Sequence, residues 1–222
     1  MITTLGDPVS FIRDNTLVEQ APLVPEISLH LATEITPIWQ ASETYLEQIG
    51  IEPPFWAFAW PGSQLIARFI LDNPEHVRGR RVLDVACGCG LAAIAASLSG
   101  AAAVQANDID FMALEATVLN AGLNHATVTP LPGDLIGTVP ECDLLVIEDV
   151  CYNEAMASRI IPWLLECSKT CEVWLCDPGR HYAPSMPLEV LVRQSVSVTQ
   201  ELESVEQRAT TLFRLRDISA PD

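Results

Sequence analysis

The chain has 222 residues, 49% of them hydrophobic and 18% charged, and its 29 acidic against 12 basic side chains give a formal net charge of -17. That length and balance support one packed domain plus a modest extension, and exclude global disorder. A field of this sign repels phosphate backbones and anionic lipid, so no nucleic acid and no membrane is expected as partner, whereas a cationic partner offering lysines is favoured.

Met1 to Pro8 carries neither a basic n-region nor an apolar h-region, so no secretory signal is expected. Residues 1–50 read as an N-terminal helical extension broken by Pro8, Pro22, Pro25 and Pro37, with residues 38–49 spaced as a helix packed on something else. The main domain then spans residues 51–222. Pro53-Pro54 leads into Phe55-Trp56-Ala57-Phe58-Ala59-Trp60-Pro61-Gly62, after which Ser63 is placed to cap a helix that Asp72-Asn73-Pro74 ends.

From Arg81 the period changes. Residues 82–85 read as a buried strand, Gly88 and Gly90 as a turn, and residues 91–98 as a helix ended by Gly100. Strand 103–107, helix 110–120 ended by Gly122, strand 127–130, strand 143–147, a helix from about Asn153 to Cys167 and strand 172–176 follow. Short apolar strands alternating with such helices predict an α/β fold, a mostly parallel sheet with helices on both faces. The tail differs: residues 195–201 and 209–215 alternate apolar and polar, which predicts a terminal antiparallel hairpin.

The run most apolar in character, residues 91–104, is too short to span a bilayer. Seven cysteines, an odd number in a chain that needs no staples, point to reduced thiols, mostly core fillers, and to a cytoplasmic setting. His30, His76, His125 and His181 are scattered without paired ligand spacing, so no metal site is expected. No long exposed apolar helix stands out, which makes a monomer the default.

The strongest local signal is Val82-Leu83-Asp84-Val85-Ala86-Cys87-Gly88-Cys89-Gly90-Leu91. In an open α/β sheet, ligands bind at the carboxyl ends of strands near the switch point, where this turn must lie. Gly88 and Gly90 allow close backbone approach, and Asp84 suits a cationic amino-acid ligand better than a pyrophosphate. About 20 residues further on, Asp108 at the next strand tip can accept both hydroxyls of a ribose, while Asp110 is placed to cap the following helix. Asp134, after Gly133, can reach an adenine amino group or equally cap a turn.

Asp84-x-x-x-Gly88-x-Gly90, Asp108 and Asp134, with the terminal hairpin, resemble the Rossmann-like seven-β-strand methyltransferases that use S-adenosyl-L-methionine (SAM). More narrowly, the chain resembles the electron-transfer flavoprotein β-subunit lysine methyltransferases and their bacterial relatives. The segments that carry this are the aromatic run from Phe55 through Gln64, Asn107-Asp108-Ile109-Asp110, Glu148-Asp149-Val150-Cys151-Tyr152 and Cys176-Asp177-Pro178-Gly179-Arg180. The chain departs from that family at Cys87 and Cys89, where smaller residues are usual, and at Glu148, where Gly is usual.

The resemblance implies SAM as cofactor, with Trp60, Asp84, Gly88, Gly90, Asp108, Asp134 and Glu148 around it. It also implies a lysine-bearing protein substrate, the flavoprotein β subunit, with Asp149 and Tyr152 as the catalytic Asp-x-x-Tyr pair. The physical reading agrees. Methyl transfer from a sulfonium is an in-line displacement, so the enzyme mainly supplies alignment. A free lysine has a pKa of about 10.4, which leaves roughly one in a thousand nucleophilic at neutral pH, a cost of about 4–5 kcal/mol. Asp149 is expected to orient the amine, and Tyr152 to wall its channel.

Other readings fit some of these residues. Asp149 can cap the next helix with Tyr152 in the core, and the aromatic run can be a plug as well as a lid with Trp60 near the methionine end. Arg180 is expected to fix Asp177 or Glu148, or to meet an acid on the partner. A small-molecule N-methyltransferase and a catalytically silent SAM-binding module are the competing functions.

Overall fold

A computed structural model describes residues 7–40, 53–182, 188–198 and 205–215. The chain enters through helix α1 (Pro8–Asn15), whose first turn is held by Asp7, the carboxylate accepting from Ser10 N at 2.9 Å. Two antiparallel strands follow, β1 (Leu17–Ala21) and β2 (Val24–Leu31), then a short helix α2 (Pro37–Gln40). This corrects the helical extension expected before residue 50. Ile27, Leu29 and Leu31 alternate with Ser28 and His30, a period of two, and Pro22 sits in the hairpin turn instead of breaking a helix. The remainder of the helix expected at 38–49 lies outside the described residues beyond Gln40.

A single 3₁₀ turn at Phe55–Ala57 leads into α3 (Pro61–Asp72). Ser63 does not cap this helix. Pro61 opens it, having the right φ and no N–H to satisfy, and Ser63 Oγ donates back to Trp60 O at 2.9 Å.

The alternating region then runs β3 (Arg81–Val85), α4 (Leu91–Leu98), β4 (Ala103–Asp108), α5 (Phe111–Leu123), β5 (Thr129–Pro132), β6 (Leu144–Glu148), α6 (Glu154–Cys167) and β7 (Glu172–Asp177). Strands β8 (Leu188–Ser197) and β9 (Gln207–Leu215) complete it. Asp110 and Asn153 cap α5 and α6 by accepting from Met112 N and Met156 N. The expected third strand sits two residues later, as β5, where an edge position tolerates Pro130 and Pro132.

The sheet order is β5-β4-β3-β6-β7-β9-β8. The first five strands are parallel, and β9 runs antiparallel to both β7 and β8, so the expected α/β, Rossmann-like sheet with a terminal hairpin is present. The tip of that hairpin, residues 199–204, lies outside the described residues.

Side chains alternate across the sheet as strand geometry requires. Val82, Ala106, Val146, Cys176 and Leu212 share one core with Leu65, Ile66 and Ile70 of α3 and the alanines of α4. Leu83, Val85, Leu145, Ile147, Val173 and Leu175 face the other way, against Ile160, Trp163 and Leu164 of α6. Six of the seven cysteines are buried and all are free thiols. Among the described residues, no helix is long and apolar enough to cross a membrane.

The chain runs outward from β3 to β4 and β5, then returns to the other side of β3 with β6 and β7. The reversal opens a crevice at the carboxyl ends of β3, β4 and β6.

Candidate functional site

The turn after β3 is built by three left-handed residues, Ala86 (φ 57°), Gly88 (φ 52°) and Gly90 (φ 78°). Gly90 is required twice over, since a Cβ there would lie 2.6 Å from Thr117 Cγ2. Gly88 is different. A Cβ there would meet only the Trp56 backbone at 3.9 Å, so its surroundings are open while its φ still favours glycine. The turn is pinned from α5, where Thr117 Oγ1 donates to Gly88 O at 3.2 Å and Asn120 Nδ2 donates to Cys89 O at 2.9 Å. Asn120 Oδ1 in turn accepts from His30 N at 2.8 Å, which ties the N-terminal hairpin to the turn.

Carboxyl groups converge on this crevice from four strand ends. Asp84 is fully buried; its Oδ2 accepts from Ala93 N at 3.0 Å and its Oδ1 has no hydrogen-bond partner. Burial pushes its pKa up to about 8, with the Ala93 N–H opposing and nearby Asp108 adding to the rise. Asp108 accepts from Gly88 N at 3.1 Å and Asp110 N at 3.0 Å, and burial raises its pKa against those bonds. Glu148 is buried with neither oxygen hydrogen-bonded. Its pKa lies well above the usual carboxylate range through burial first, then the charges of Asp84, Asp149 and Asp108. Asp177, at the end of β7, is also raised by burial; its Oδ1 accepts from Arg180 N at 2.7 Å.

Unpartnered buried carboxylate oxygens are costly, and a cation is what would satisfy them. The ammonium and sulfonium of SAM have that chemistry, and the open, glycine-lined turn gives its backbone room, so the residues present fit this cofactor. Beside the cluster, a cavity of about 80 Å³ is lined by Val85, Ala86, Asp108, Gly133, Asp134 and Ile136, among others. Asp134 stands at its rim, accepting from Ile136 N at 2.9 Å and paired with Arg159 at 2.6 Å. The Ile136 N–H first, then Arg159, hold its carboxyl below the usual range.

Asp149 follows β6 in a left-handed conformation (φ 55°), uncommon for a residue with a Cβ and typical of functional turns. Its Oδ2 accepts from Gly62 N at 2.7 Å, at the N-terminus of α3, and Arg180 Nη2 lies 3.5 Å from its Oδ1. Arg180 was expected to fix Asp177 or Glu148. Its side chain approaches Asp149, and its backbone closes the turn on Asp177. Asp149 does not cap α6, a task Asn153 performs, and Tyr152 is 51% exposed, so it is not a core residue.

Tyr152 ends a row of rings. Tyr152–Phe55, Phe55–Trp60, Trp60–Phe58 and Phe58–Trp39 have centroids 6.4, 6.1, 5.8 and 5.5 Å apart. Trp60 donates its indole N–H to Phe55 O at 2.8 Å. The backbone that abuts Gly88 is that of Trp56, one turn before Trp60, which was expected near the methionine end of the cofactor. Sequence reasoning missed the anchoring roles of Gly62, Thr117 and Asn120. No local pattern marks them, because each acts across 29 or more residues of chain.

Residues 67–147 match the family model described as Ribosomal protein L11 methyltransferase (PrmA). The electron transfer flavoprotein beta subunit lysine methyltransferase of Danio rerio is 44% identical over 179 residues, covering 78% of this chain and 68% of the relative. Its counterpart from Xenopus laevis is 40% identical over 220 residues, covering 95% of this chain and 88% of the relative. Among solved structures, the magnesium protoporphyrin IX methyltransferase of Synechocystis PCC 6803 with bound SAM aligns with a TM-score of 0.52 at 14% identity. That alignment covers 69% of this chain and 79% of the other, and shows the shared fold.

Proposed function

Since the chain belongs to the electron transfer flavoprotein beta subunit lysine methyltransferase family, we propose that its acceptor is a lysine of the flavoprotein β subunit, aligned by Asp149 and Tyr152. The chain is a SAM-dependent protein-lysine N-methyltransferase. When bound, SAM supplies an electrophilic methyl group on a sulfonium; the protein supplies position and charge.

On the cofactor side, Asp108 at the tip of β4 would accept the ribose hydroxyls, with Gly88 and Gly90 letting the backbone come close. Asp84 and Glu148 hold positive charge in the buried crevice, where a fixed carboxylate acts more strongly than in water. Asp134, at the rim of the small cavity, would reach the adenine. Trp60 closes the aromatic side.

On the acceptor side, the lysine amine enters beside Tyr152 and Phe55, both half exposed, and meets Asp149. A carboxylate favours the ammonium over the amine, so Asp149 directs the nitrogen and does not drive its deprotonation. Aromatic walls and nearby positive charge work the other way and favour the neutral amine. Holding donor and acceptor in line then supplies much of the rate.

The observation that carries this reading is the fixed position of Asp149, gripped by Gly62 N and approached by Arg180, next to an exposed Tyr152 at the edge where the carboxyl cluster lies. Tritiated methyl transfer from SAM into recombinant electron-transfer flavoprotein tests it, run beside a lysate stripped of small molecules. Label on a lysine of the small subunit is the expected result. Label confined to another protein would remove the named acceptor, and label only in a low-mass fraction would replace protein lysine with a small-molecule amine.

A further inference from the structure

A second cavity, of about 300 Å³, lies outside the carboxyl cluster, between the N-terminal hairpin, the start of α3 and the end of β8. Trp39, Phe58 and Trp60 line it, and Glu19 is the one charged residue among its described lining. Trp39–Phe58 and Phe58–Trp60 each meet at 63°, so the ring wall presents π surface in more than one direction. The lining amide of Gln64 is already engaged at both ends, donating to Ala59 O at 2.7 Å and accepting from Leu23 N at 3.3 Å. Gln20, Thr33 and Ser197 add neutral polar groups to the lining, but its ring faces and its one carboxylate together select a cation on an apolar stem.

The cavity opens at the catalytic edge. β8 runs parallel to β7, and the β8–β9 ladder continues from Thr211, opposite Asp177, to Gln207, opposite Ser197. The hairpin therefore overhangs the crevice, with Ser197 reaching the cavity. Trp60 lines the cavity and connects through Phe55 to Tyr152 in ring steps of 6.1 and 6.4 Å. A peptide of about four extended residues covers that span.

We propose that this cavity is a docking site for a second basic side chain, a lysine or arginine of the acceptor protein about four residues from the lysine being methylated. This rests on the protein-lysine reading above. The net charge of -17 complements such a basic segment and repels an acidic one. The site's role is to raise acceptor affinity and choose which lysine reaches Asp149, without touching the transferred group.

The test uses the whole protein and a peptide, acetyl-Lys-Ala-Ala-Ala-Lys-amide, compared with versions in which either lysine is norleucine. The two-lysine peptide should bind the wild type at least tenfold more tightly than either single-lysine version. Glu19→Gln, at an exposed position, and Trp39→Leu should cut that preference below threefold while leaving the Kd for SAM unchanged. On the flavoprotein, Glu19→Gln should raise KM about tenfold and leave kcat unchanged. An undiminished two-lysine preference in both variants would overturn the proposal. A wild type that prefers the two-lysine peptide yet labels no flavoprotein would remove the named acceptor and support the cavity. Flavoprotein labelling with no such preference would do the reverse.

Discussion

The two sides of the crevice are made of different material. The side we assign to the cofactor is built of backbone turns and carboxylates at strand ends: Asp84 and Glu148 are buried and carry unpartnered oxygens, and the Gly88–Gly90 turn is fixed by Thr117 and Asn120. The acceptor side is built of rings on connecting segments, with Phe55 58% and Tyr152 51% exposed. A small ligand of constant shape can be met by a rigid, charged pocket, whereas a protein surface needs exposed rings that exclude water as it docks. Asp149 is where the sides join, since it leaves β6 beside Glu148 yet is held by α3 and Arg180.

Breaking that junction should have the largest effect. In Gly62→Ala, the new Cβ would collide with Asp149 Oδ2 and lie 2.9 Å from Glu148 Cβ, so the carboxylate must move. A displacement of about 1 Å costs on the order of a hundredfold in kcat. SAM affinity should stay within about threefold. Steady-state kinetics beside calorimetry reads both, and an active Gly62→Ala enzyme would mean that the grip on Asp149 is dispensable.

The buried carboxyls predict an opposite pH signature for the cofactor side. Asp84 and Glu148 have folded pKa values raised above their unfolded ones, so between the two values the folded state holds more protons. Stability of the ligand-free protein therefore falls as pH rises from about 4 toward 8, the latter being the value for Asp84. Each such group contributes at most about 1.4 kcal/mol per pH unit. Glu148→Gln removes one of them and should flatten the slope of unfolding free energy against pH, and SAM should flatten it in the wild type. Parallel slopes for variant and wild type would show that Glu148 is not a strained acid.

A smaller effect is expected at the turn itself. Ala86 sits at φ 57°, which costs a residue with a Cβ about 1–2 kcal/mol. Ala86→Gly gives part of that back against the greater freedom of glycine in the unfolded chain, about 0.5–1 kcal/mol. Thermal unfolding should show a rise of a few degrees with unchanged kcat. A lower midpoint would mean that the methyl group packs usefully there.

Much of the parallel sheet was legible because its signals are local. Short apolar strands, the two-glycine turn and the cap Asp110 each announce themselves within a few residues, and so do the acids at the strand tips, whereas the cap Asn153 reads only as a helix start. The N-terminal hairpin was not legible as such, because Pro22 and Pro25 look like helix breaks until Ile27, Leu29 and Leu31 are seen sharing one face. The junction was invisible for another reason. Gly62 and Asp149 are 87 residues apart, and nothing in either neighbourhood encodes their meeting. The Asp-x-x-Tyr segment stands out in the sequence, but nothing in it hints that a helix N-terminus holds Asp149.

The division between the two sides is tested most directly by measuring the Kd for SAM and kcat at saturating SAM in Asp108→Ala and Asp149→Asn side by side. Asp108→Ala should weaken SAM by about 1.5–3 kcal/mol, the worth of a charge-assisted hydrogen bond, and keep most of kcat. Asp149→Asn retains an oxygen for Gly62 N and should leave the Kd for SAM unchanged while kcat falls a hundredfold or more. If Asp149→Asn instead weakens SAM as much as Asp108→Ala and spares kcat, Asp149 belongs to the cofactor pocket and the acceptor side has been misplaced.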